Sequence, residues 1–117
     1  MNKAALHKYC LSLPAASHDV KWDVDDVYSV GGKMFAVACD NRGGGAQVSF
    51  KVDDDLFLQY TDREGFVPAP YLARAKWVLI SDTRTVSANE LKALLARSHH
   101  LVSMKLTRKA RAAMGLE

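Results

Sequence analysis

The sequence predicts a two-layer α+β domain in which an antiparallel sheet of about five strands is covered by an N-terminal and a C-terminal helix. Three observations lead to this prediction: a strand pair joined at Gly31–Gly32, an alternating apolar run over residues 46–52, and the main helix patterns at the two ends of the chain. Tight glycine turns join antiparallel neighbours, and amphipathic helices must bury their apolar faces against such a sheet. At this length, residues 1–117 are expected to form a single domain.

The composition is that of an ordinary globular domain that needs no disulfide, metal ion or cofactor to fold. Hydrophobic residues make up 49% of the chain and charged residues 25%, both typical values. No apolar run approaches the ~20 residues of a membrane-spanning helix, and the first residues lack the apolar centre of a signal peptide. Cys10 and Cys39 are expected to be reduced, with a disulfide between them as the alternative. We therefore expect a cytoplasmic protein with no membrane partner.

The net charge of +3 comes entirely from the C-terminal end. Residues 105–117 carry four Lys or Arg residues against Glu117, whereas residues 1–104 carry twelve basic and twelve acidic residues. Such a basic patch can attract phosphate backbones. The alternative is a solvated helix end whose cations face the negative pole of the helix dipole.

The N-terminal part of the chain predicts a helix followed by an edge strand. Asn2 is placed to cap the helix and Pro14 to end it. The apolar face of this helix consists of Leu6, Tyr9, Cys10 and Leu13. Residues 17–26 indicate a short extended edge with Trp22 on its inner face. The acidic residues of this segment lack the spacing of a calcium loop, which favours a solvated edge that discourages strand pairing. They are Asp19, Asp23, Asp25 and Asp26.

The strongest strand signals lie in the middle of the chain. Val27–Val30 and Lys33–Cys39 flank the glycine pair, which supplies the positive φ angles of a two-residue turn. Residues 40–45 form a looser connection whose glycines lack the spacing of a nucleotide-binding loop. The core positions of the alternating run are Val48, Phe50 and Val52. Its outward positions are Gln47, Ser49 and Lys51.

The next segment predicts a short helix and a second pair of strands. Asp53–Asp55 is expected to open the helix, because carboxylates in a first turn stabilise the helix dipole. Pro68 and Pro70 exclude a helix across the following break. Trp77–Ile80 is short and rich in strand-forming residues, so it is predicted to be a buried strand.

The C-terminal part predicts a long helix and a basic tail. Ser87 and Glu90 have the spacing of a capping box at the start of the helix. Its inner face consists of Leu91, Leu94, Leu95, Ser98, Leu101 and Val102. Residues 98–100 are expected to interrupt or bend the helix, and Gly115 to end the helical turns of the tail. His99 and His100 point to different sides of a helix and do not form a metal-binding pair.

Several short motifs together carry a resemblance to a known family. They are Cys10-x-x-x-Pro14, Gly32-Lys33-Met34-Phe35-Ala36, Ser49-Phe50-Lys51, Val67-Pro68-x-x-Tyr71-x-x-x-x-x-Trp77-Val78 and Ser98-x-x-Leu101-Val102. In this order they resemble the MmcQ/YjbR-like family over nearly the whole chain. The resemblance implies a small bacterial, cytoplasmic domain with a "double wing" α+β fold. It also implies DNA binding, the role commonly assigned to that family from its structural similarity.

The DNA-binding hypothesis uses the glycine-turned hairpins and the C-terminal tail. Eight cations are expected to contact phosphates: Lys33, Arg42, Lys51, Arg74, Lys76, Lys105, Arg108 and Lys109. Such contacts position a protein on nucleic acid without reading its sequence. The side chains suited to reading base edges are Asn41, Arg42 and Gln47.

The alternative hypothesis is a protein-binding or small-molecule-binding module. Its groove would lie at the edge of the sheet, among Lys33, Lys51, Tyr71, Arg74 and Trp77. Trp77 and Phe35 are nevertheless expected in the core, and Tyr71 is expected to pack on the sheet with its hydroxyl in water. An enzyme is not expected, because both cysteines lie on predicted core faces and no Ser-His-Asp set is defined.

Overall fold

A computed structural model describes residues 1–22, 25–41 and 44–116 of the chain. Within these ranges the helices are α1 (Lys3–Ser12), α2 (Phe57–Thr61), α3 (Ala88–Ser103) and α4 (Arg108–Ala113). The strands are β1 (Ala16–Lys21), β2 (Asp25–Val30), β3 (Lys33–Asp40), β4 (Ala46–Lys51), β5 (Phe66–Pro68) and β6 (Trp77–Ile80). Single turns of 3₁₀ helix lie at Asp54–Leu56, Ala73–Ala75 and Thr83–Thr85.

The six strands form one antiparallel sheet in the order β1-β2-β3-β4-β6-β5. The predicted α+β architecture is therefore confirmed, with six strands where about five were expected. Gly31 and Gly32, with φ angles of 58° and 80°, form the tight turn between β2 and β3. The predicted strand after the double-proline break is β6, which pairs with β4 on one side and β5 on the other.

The core lies between one face of the sheet and the helices α1 and α3. Helix α3 packs on β2, β3 and β4, and α1 packs on β1, β3 and α3. Phe35 and Phe50 are fully buried in this layer, together with Leu91 and Leu95 of α3. Asn2 caps α1 as predicted, accepting a hydrogen bond from the Ala5 amide at 2.9 Å.

A buried serine joins α3 to the two central strands. The Ser98 hydroxyl donates a hydrogen bond to the Phe35 carbonyl of β3 at 2.6 Å. Its oxygen accepts one from the Lys51 amide, at the end of β4, at 2.9 Å. Both backbone groups lie just beyond Ala36 and Phe50, the last residues that β3 and β4 pair with each other at this end of the sheet. One hydroxyl therefore satisfies two buried polar groups that would otherwise lack partners.

The predicted interruption of α3 at residues 98–100 was wrong. The helix runs without a break to Ser103, because Ser98 and His99 turn inward to specific partners. His99 Nε2 lies 2.7 Å from the Pro14 carbonyl, and its ring packs edge-on against Phe35. These two side chains attach the helix to the sheet and to the segment that follows α1.

Two predictions about acidic residues hold only in part. Asp54 and Asp55 lie in the first helical turn as predicted, but Asp53 makes no capping hydrogen bond. The Asp53 carboxylate instead binds Arg97 at 2.9 and 2.6 Å. In the capping box, Ser87 accepts from the Glu90 amide at 3.2 Å as predicted. The Glu90 carboxylate, however, binds Arg63 at 2.6 and 2.8 Å and takes no part in the cap.

The solvent exposure of three side chains was predicted wrongly. Trp22 was expected inside but is 63% exposed, and Tyr71 was expected to pack on the sheet but is fully exposed. Lys51 was expected outside but is only 8% exposed. The connection between β5 and β6 explains Lys51, because the Lys51 ammonium group donates a hydrogen bond to the Ala75 carbonyl of that connection.

We predict that Ser98→Ala lowers the free energy of unfolding by about 2 kcal/mol, because two buried backbone groups lose their partner. Urea denaturation monitored by circular dichroism measures this loss. The matched control is Ser103→Ala, since the Ser103 hydroxyl bonds only the His100 carbonyl of its own helix. The control is expected to stay within about 0.5 kcal/mol of the parent protein. Equal stability of both variants would contradict the role given to Ser98.

Candidate functional site

Antiparallel pairing collects several cations at one end of the sheet. Lys33 begins β3, Lys51 ends β4, and Lys76 directly precedes β6. Because the start of β3, the end of β4 and the start of β6 lie side by side, these residues share one end. Arg74 lies on the connection before β6, and Lys105 directly follows the end of α3. We call this set of five residues the basic end.

Two clefts open at the basic end. Lys33, Lys51 and Lys105 line the first, a cleft of about 290 Å³. Its apolar lining includes Met34, Leu72, Trp77 and Val102. Lys51, Arg74 and Lys105 line the second, a cleft of about 640 Å³ whose acidic side is formed by Asp53–Asp55. The two clefts share Lys51, Ala75 and Lys105 as lining residues, so they adjoin each other.

Lys51 is the most constrained cation of the basic end. Burial lowers the pKa of its ammonium group, and the positive charges of Lys105 and Lys76 lower the pKa further. The carboxylate of Asp54 acts in the opposite direction. The net depression means that the charged form of Lys51 is held at a cost in the folded protein. An anion bound between these lysines would relieve that cost.

The cations of the basic end are not neutralised by ion pairs. Within residues 1–22, 25–41 and 44–116, none of the five forms an ion pair of 4.0 Å or less. Lys76 instead places its ammonium group 5.3 Å from the centre of the Phe57 ring. The nearby Asp53 is paired with Arg97, whose hydrogen bond holds the pKa of that carboxyl below its usual range. Asp53 is therefore engaged by Arg97, while Asp54 and Asp55 remain as acidic neighbours of the second cleft.

The remaining predicted phosphate contacts are not all placed with the basic end. Arg42 lies outside the described residues. Arg108 and Lys109 are exposed on α4, which lies beside the turn before Lys33 because Leu106 and Met114 pack against Gly31. The basic tail thus adjoins the β2–β3 hairpin.

Two of the three predicted base-reading side chains, those of Asn41 and Gln47, belong to the opposite end of the sheet. The Asn41 amide donates to the Ser81 carbonyl at 2.9 Å, so that group is already bonded. Gln47 is paired with Cys39 across β3 and β4, and its side-chain oxygen lies 3.7 Å from the Cys39 sulfur. The structure therefore gives neither residue a place among the cations, and sequence-specific reading by them is not supported.

A third cleft, of about 530 Å³, lies on the sheet face turned away from α1 and α3. We call it the open-face cleft. Trp22 and Tyr71 form its walls, and its lining also includes Asp25, Met34, Val37, Ser49, Pro70 and Leu72. The sequence pointed to Tyr71 but missed Trp22, which was assigned to the core. The third aromatic residue considered, Trp77, is in the core as predicted, with 5% of its surface exposed.

The thiols and histidines do not form an activated nucleophile. Burial raises the pKa of the Cys10 thiol to about 12 and raises that of Cys39 as well. Both cysteines are free thiols, as expected. His7 contacts the Tyr28 hydroxyl at 3.0 Å and His18 contacts Asp26 at 2.8 Å. Among the residues that the structure describes, no three His, Cys, Asp or Glu side chains are arranged to hold a metal ion.

A family model named YjbR matches residues 11–101. The chain belongs to the YjbR family. A crystal structure of the Deinococcus radiodurans protein DR2400, described with the domain DUF419, matches 99% of this chain and 89% of its own, with a TM-score of 0.87 and 26% identity. A crystal structure of a Pseudomonas syringae protein matches 87% of this chain and 99% of its own, with a TM-score of 0.73 and 18% identity. No curated protein matches the chain.

These matches confirm both the predicted family and the fold of this YjbR domain. The family match covers most of the basic end, although Lys105 and α4 follow its last residue. No helix among the described parts of the domain is long and apolar enough to cross a membrane.

We predict that Lys105→Gln stabilises the free YjbR domain, because it removes a like charge that opposes the charged form of Lys51. A gain of ~0.3 kcal/mol corresponds to a rise in Tm of about 1–2 °C. The pKa of Lys51, followed by NMR, should rise towards its ordinary value. A lysine whose pKa is lower in the folded than in the unfolded protein destabilises the fold at every pH below its folded-state pKa. The gain in stability should therefore be fully present at pH 7. It should disappear above the unfolded-state pKa, where the lysine is neutral in both states.

The control for this prediction is Lys8→Gln, which removes one charge from an exposed position on α1. It should leave both the pKa of Lys51 and the Tm unchanged. A loss of stability in Lys105→Gln would show that Lys105 supports the fold and does not crowd Lys51.

Proposed function

We propose that this YjbR domain is a non-enzymatic, cytoplasmic DNA-binding protein that holds the phosphate backbone at its basic end. The observation that carries the proposal is the gathering of five cations without ion pairs, as far as the structure describes them, around two adjoining clefts. Phosphate groups are the ligands that such a set of Lys and Arg side chains suits best.

The electrostatic cost at Lys51 supports the same proposal. Burial is the largest cause of the lowered pKa of Lys51, and the positive charges of Lys105 and Lys76 lower that pKa further, so part of the shift reports repulsion among these cations. Binding a phosphate would offset it, so part of the unfavourable energy of the free state becomes binding energy. The exposed cations Arg108 and Lys109 on α4 would extend the contact along the backbone.

The chemistry of the thiols supports a non-enzymatic role. A cysteine nucleophile requires a lowered pKa, whereas the pKa values of Cys10 and Cys39 are both raised. The His7–Tyr28 and His18–Asp26 contacts tie α1 to β1 and β2, and none of these four residues lines a described cleft.

A second candidate function is the binding of a small molecule or a protein segment in the open-face cleft. The exposed Trp22 and Tyr71 favour it, because large aromatic side chains in water are commonly binding surfaces. A neutral ligand in that cleft would bind with little dependence on salt, which separates this candidate from backbone binding.

We predict that the domain binds labelled DNA in fluorescence anisotropy with an affinity that falls steeply as salt rises. Five phosphate contacts, one for each cation of the basic end, correspond to a log–log slope of about −3.5 to −4.5. The double variant Lys33→Ala/Lys105→Ala should lose at least about ten-fold in affinity at low salt and make the slope shallower by about two.

The control is Lys8→Ala/Lys92→Ala, which removes the same charge from exposed positions on α1 and α3. It should retain most of the affinity, because these lysines do not line the clefts of the basic end. Equal losses of affinity in both double variants would show that binding depends only on the net charge of the domain and not on the basic end. Absence of binding at low salt would refute the proposed function.

A further inference from the structure

Two large aromatic side chains project into water from the walls of the open-face cleft. Trp22 follows β1, and Tyr71 lies on the connection between β5 and β6, so they come from distant parts of the chain. Neither side chain makes a ring contact or hydrogen bond with another described residue. Packing within the domain therefore does not account for their placement.

The backbone at both positions is strained. Trp22 has a φ angle of 53° and Tyr71 one of 66°, in the left-handed region that disfavours bulky side chains. Each such conformation costs roughly 1–2 kcal/mol for a residue other than glycine. Strain that coincides with exposed aromatic groups at one cleft is the pattern found at ligand sites.

The open-face cleft adjoins the basic end, because the two share lining residues. Met34 and Leu72 line both this cleft and the one formed by Lys33, Lys51 and Lys105. A ligand that lies across these two residues therefore meets aromatic surfaces on one side and ammonium groups on the other. Flat apolar rings connected to phosphates are the chemistry of a nucleotide chain.

The floor of the cleft offers a few polar groups beside its apolar ones. The Asp25 carboxylate and the Ser49 hydroxyl line it together with Val37. A carboxylate accepts hydrogen bonds from N–H groups on the exposed edges of unpaired bases, the N3–H group of thymine among them. The same carboxylate disfavours a phosphate at that position, which directs the backbone of a bound strand towards the basic end.

From this arrangement we infer that the open-face cleft binds the unpaired bases of a single-stranded nucleic acid, with Trp22 and Tyr71 as stacking surfaces. The inference deepens the proposed function and rests on it, because the basic end holds the backbone of the same strand. Stacking on protein aromatic groups requires bases that are free of a duplex, since paired bases are already stacked on their neighbours. Single strands are therefore bound more tightly than duplexes of the same length.

The test compares a labelled twelve-residue oligothymidylate with a twelve-base-pair duplex by fluorescence anisotropy at low salt. Tyr71→Ala and Trp22→Ala should each weaken binding of the single strand by about ten-fold or more. Their affinities for the duplex should change by less than two-fold. Tyr71→Phe should retain single-strand binding, because the ring and not the hydroxyl stacks.

A spectroscopic readout reports the stacking directly. Trp22 is exposed and Trp77 is buried. Added oligothymidylate should therefore quench the tryptophan fluorescence that Trp22 emits and leave that of Trp77 unchanged. In Trp22→Phe the quenching should disappear while binding persists. The matched control for loss of an exposed apolar group is Leu58→Ala, because Leu58 is exposed on α2 and does not line the open-face cleft.

Tyr71→Gly separates binding from folding. Glycine adopts the left-handed backbone freely, so the Tm of this variant should be no lower than that of the parent, while single-strand binding is lost. A drop in both would assign Tyr71 a structural role and overturn the inference.

The remaining outcomes are distinguishable. If Lys33→Ala/Lys105→Ala weakens binding but the aromatic variants do not, backbone binding stands and the stacking inference fails. If thymidine monophosphate binds as tightly as the oligomer, the cleft is a mononucleotide site and the inference is overturned. Tighter binding of the duplex than of the single strand also overturns it. If neither nucleic acid binds, the proposed function fails as well.

Discussion

The fold depends on two buried hydroxyl groups that hold the ends of the central strand β4. At its start, Thr83 accepts a hydrogen bond from the Ala46 amide at 3.0 Å and donates one to the Met1 carbonyl. At its end, Ser98 does the same for the Lys51 amide and the Phe35 carbonyl. Unpaired, each buried backbone group would cost about 1–3 kcal/mol. Because β3 and β6 both pair with β4, these two hydroxyls fix the middle of the whole sheet.

This constraint explains why short motifs far apart in the chain identify the family. The motifs containing Phe35, Lys51 and Ser98 meet at a single hydroxyl group. The proline of the first motif, Pro14, is attached to the residue after that serine, because His99 contacts its carbonyl. These residues build the framework, and most of them are buried. Membership of the YjbR family therefore describes how the chain folds, and the function has to be sought in the side chains exposed around that framework.

The spacing of apolar residues in the sequence was sufficient to predict most helices and strands, but not the path of the connections between them. Strands β2 to β4, β6 and helix α3 follow from local alternation and helical spacing, which are properties of neighbouring residues. The exposure of Tyr71 and the burial of Lys51 depend on how residues 69–76 cross the sheet, a long-range feature that Pro68 and Pro70 only restrict. Trp22 was misplaced for a related reason, since an edge strand lacks the second neighbour that would enforce its alternation. The sequence contained all five cations of the basic end, but only the strand order shows that they share it.

Several unfavourable features of this domain lie close together. At both ends of β4, Ser98 and Thr83 give the buried backbone groups hydrogen-bond partners. At the basic end and the open-face cleft, by contrast, a lysine is held with a depressed pKa beside other cations, and Trp22 and Tyr71 stand in water on left-handed backbone. A chain selected for stability alone would remove these costs by simple substitutions, such as glycine at residue 71. Their coincidence at two clefts that share Met34 and Leu72 is best explained by a ligand that carries both negative charge and flat rings.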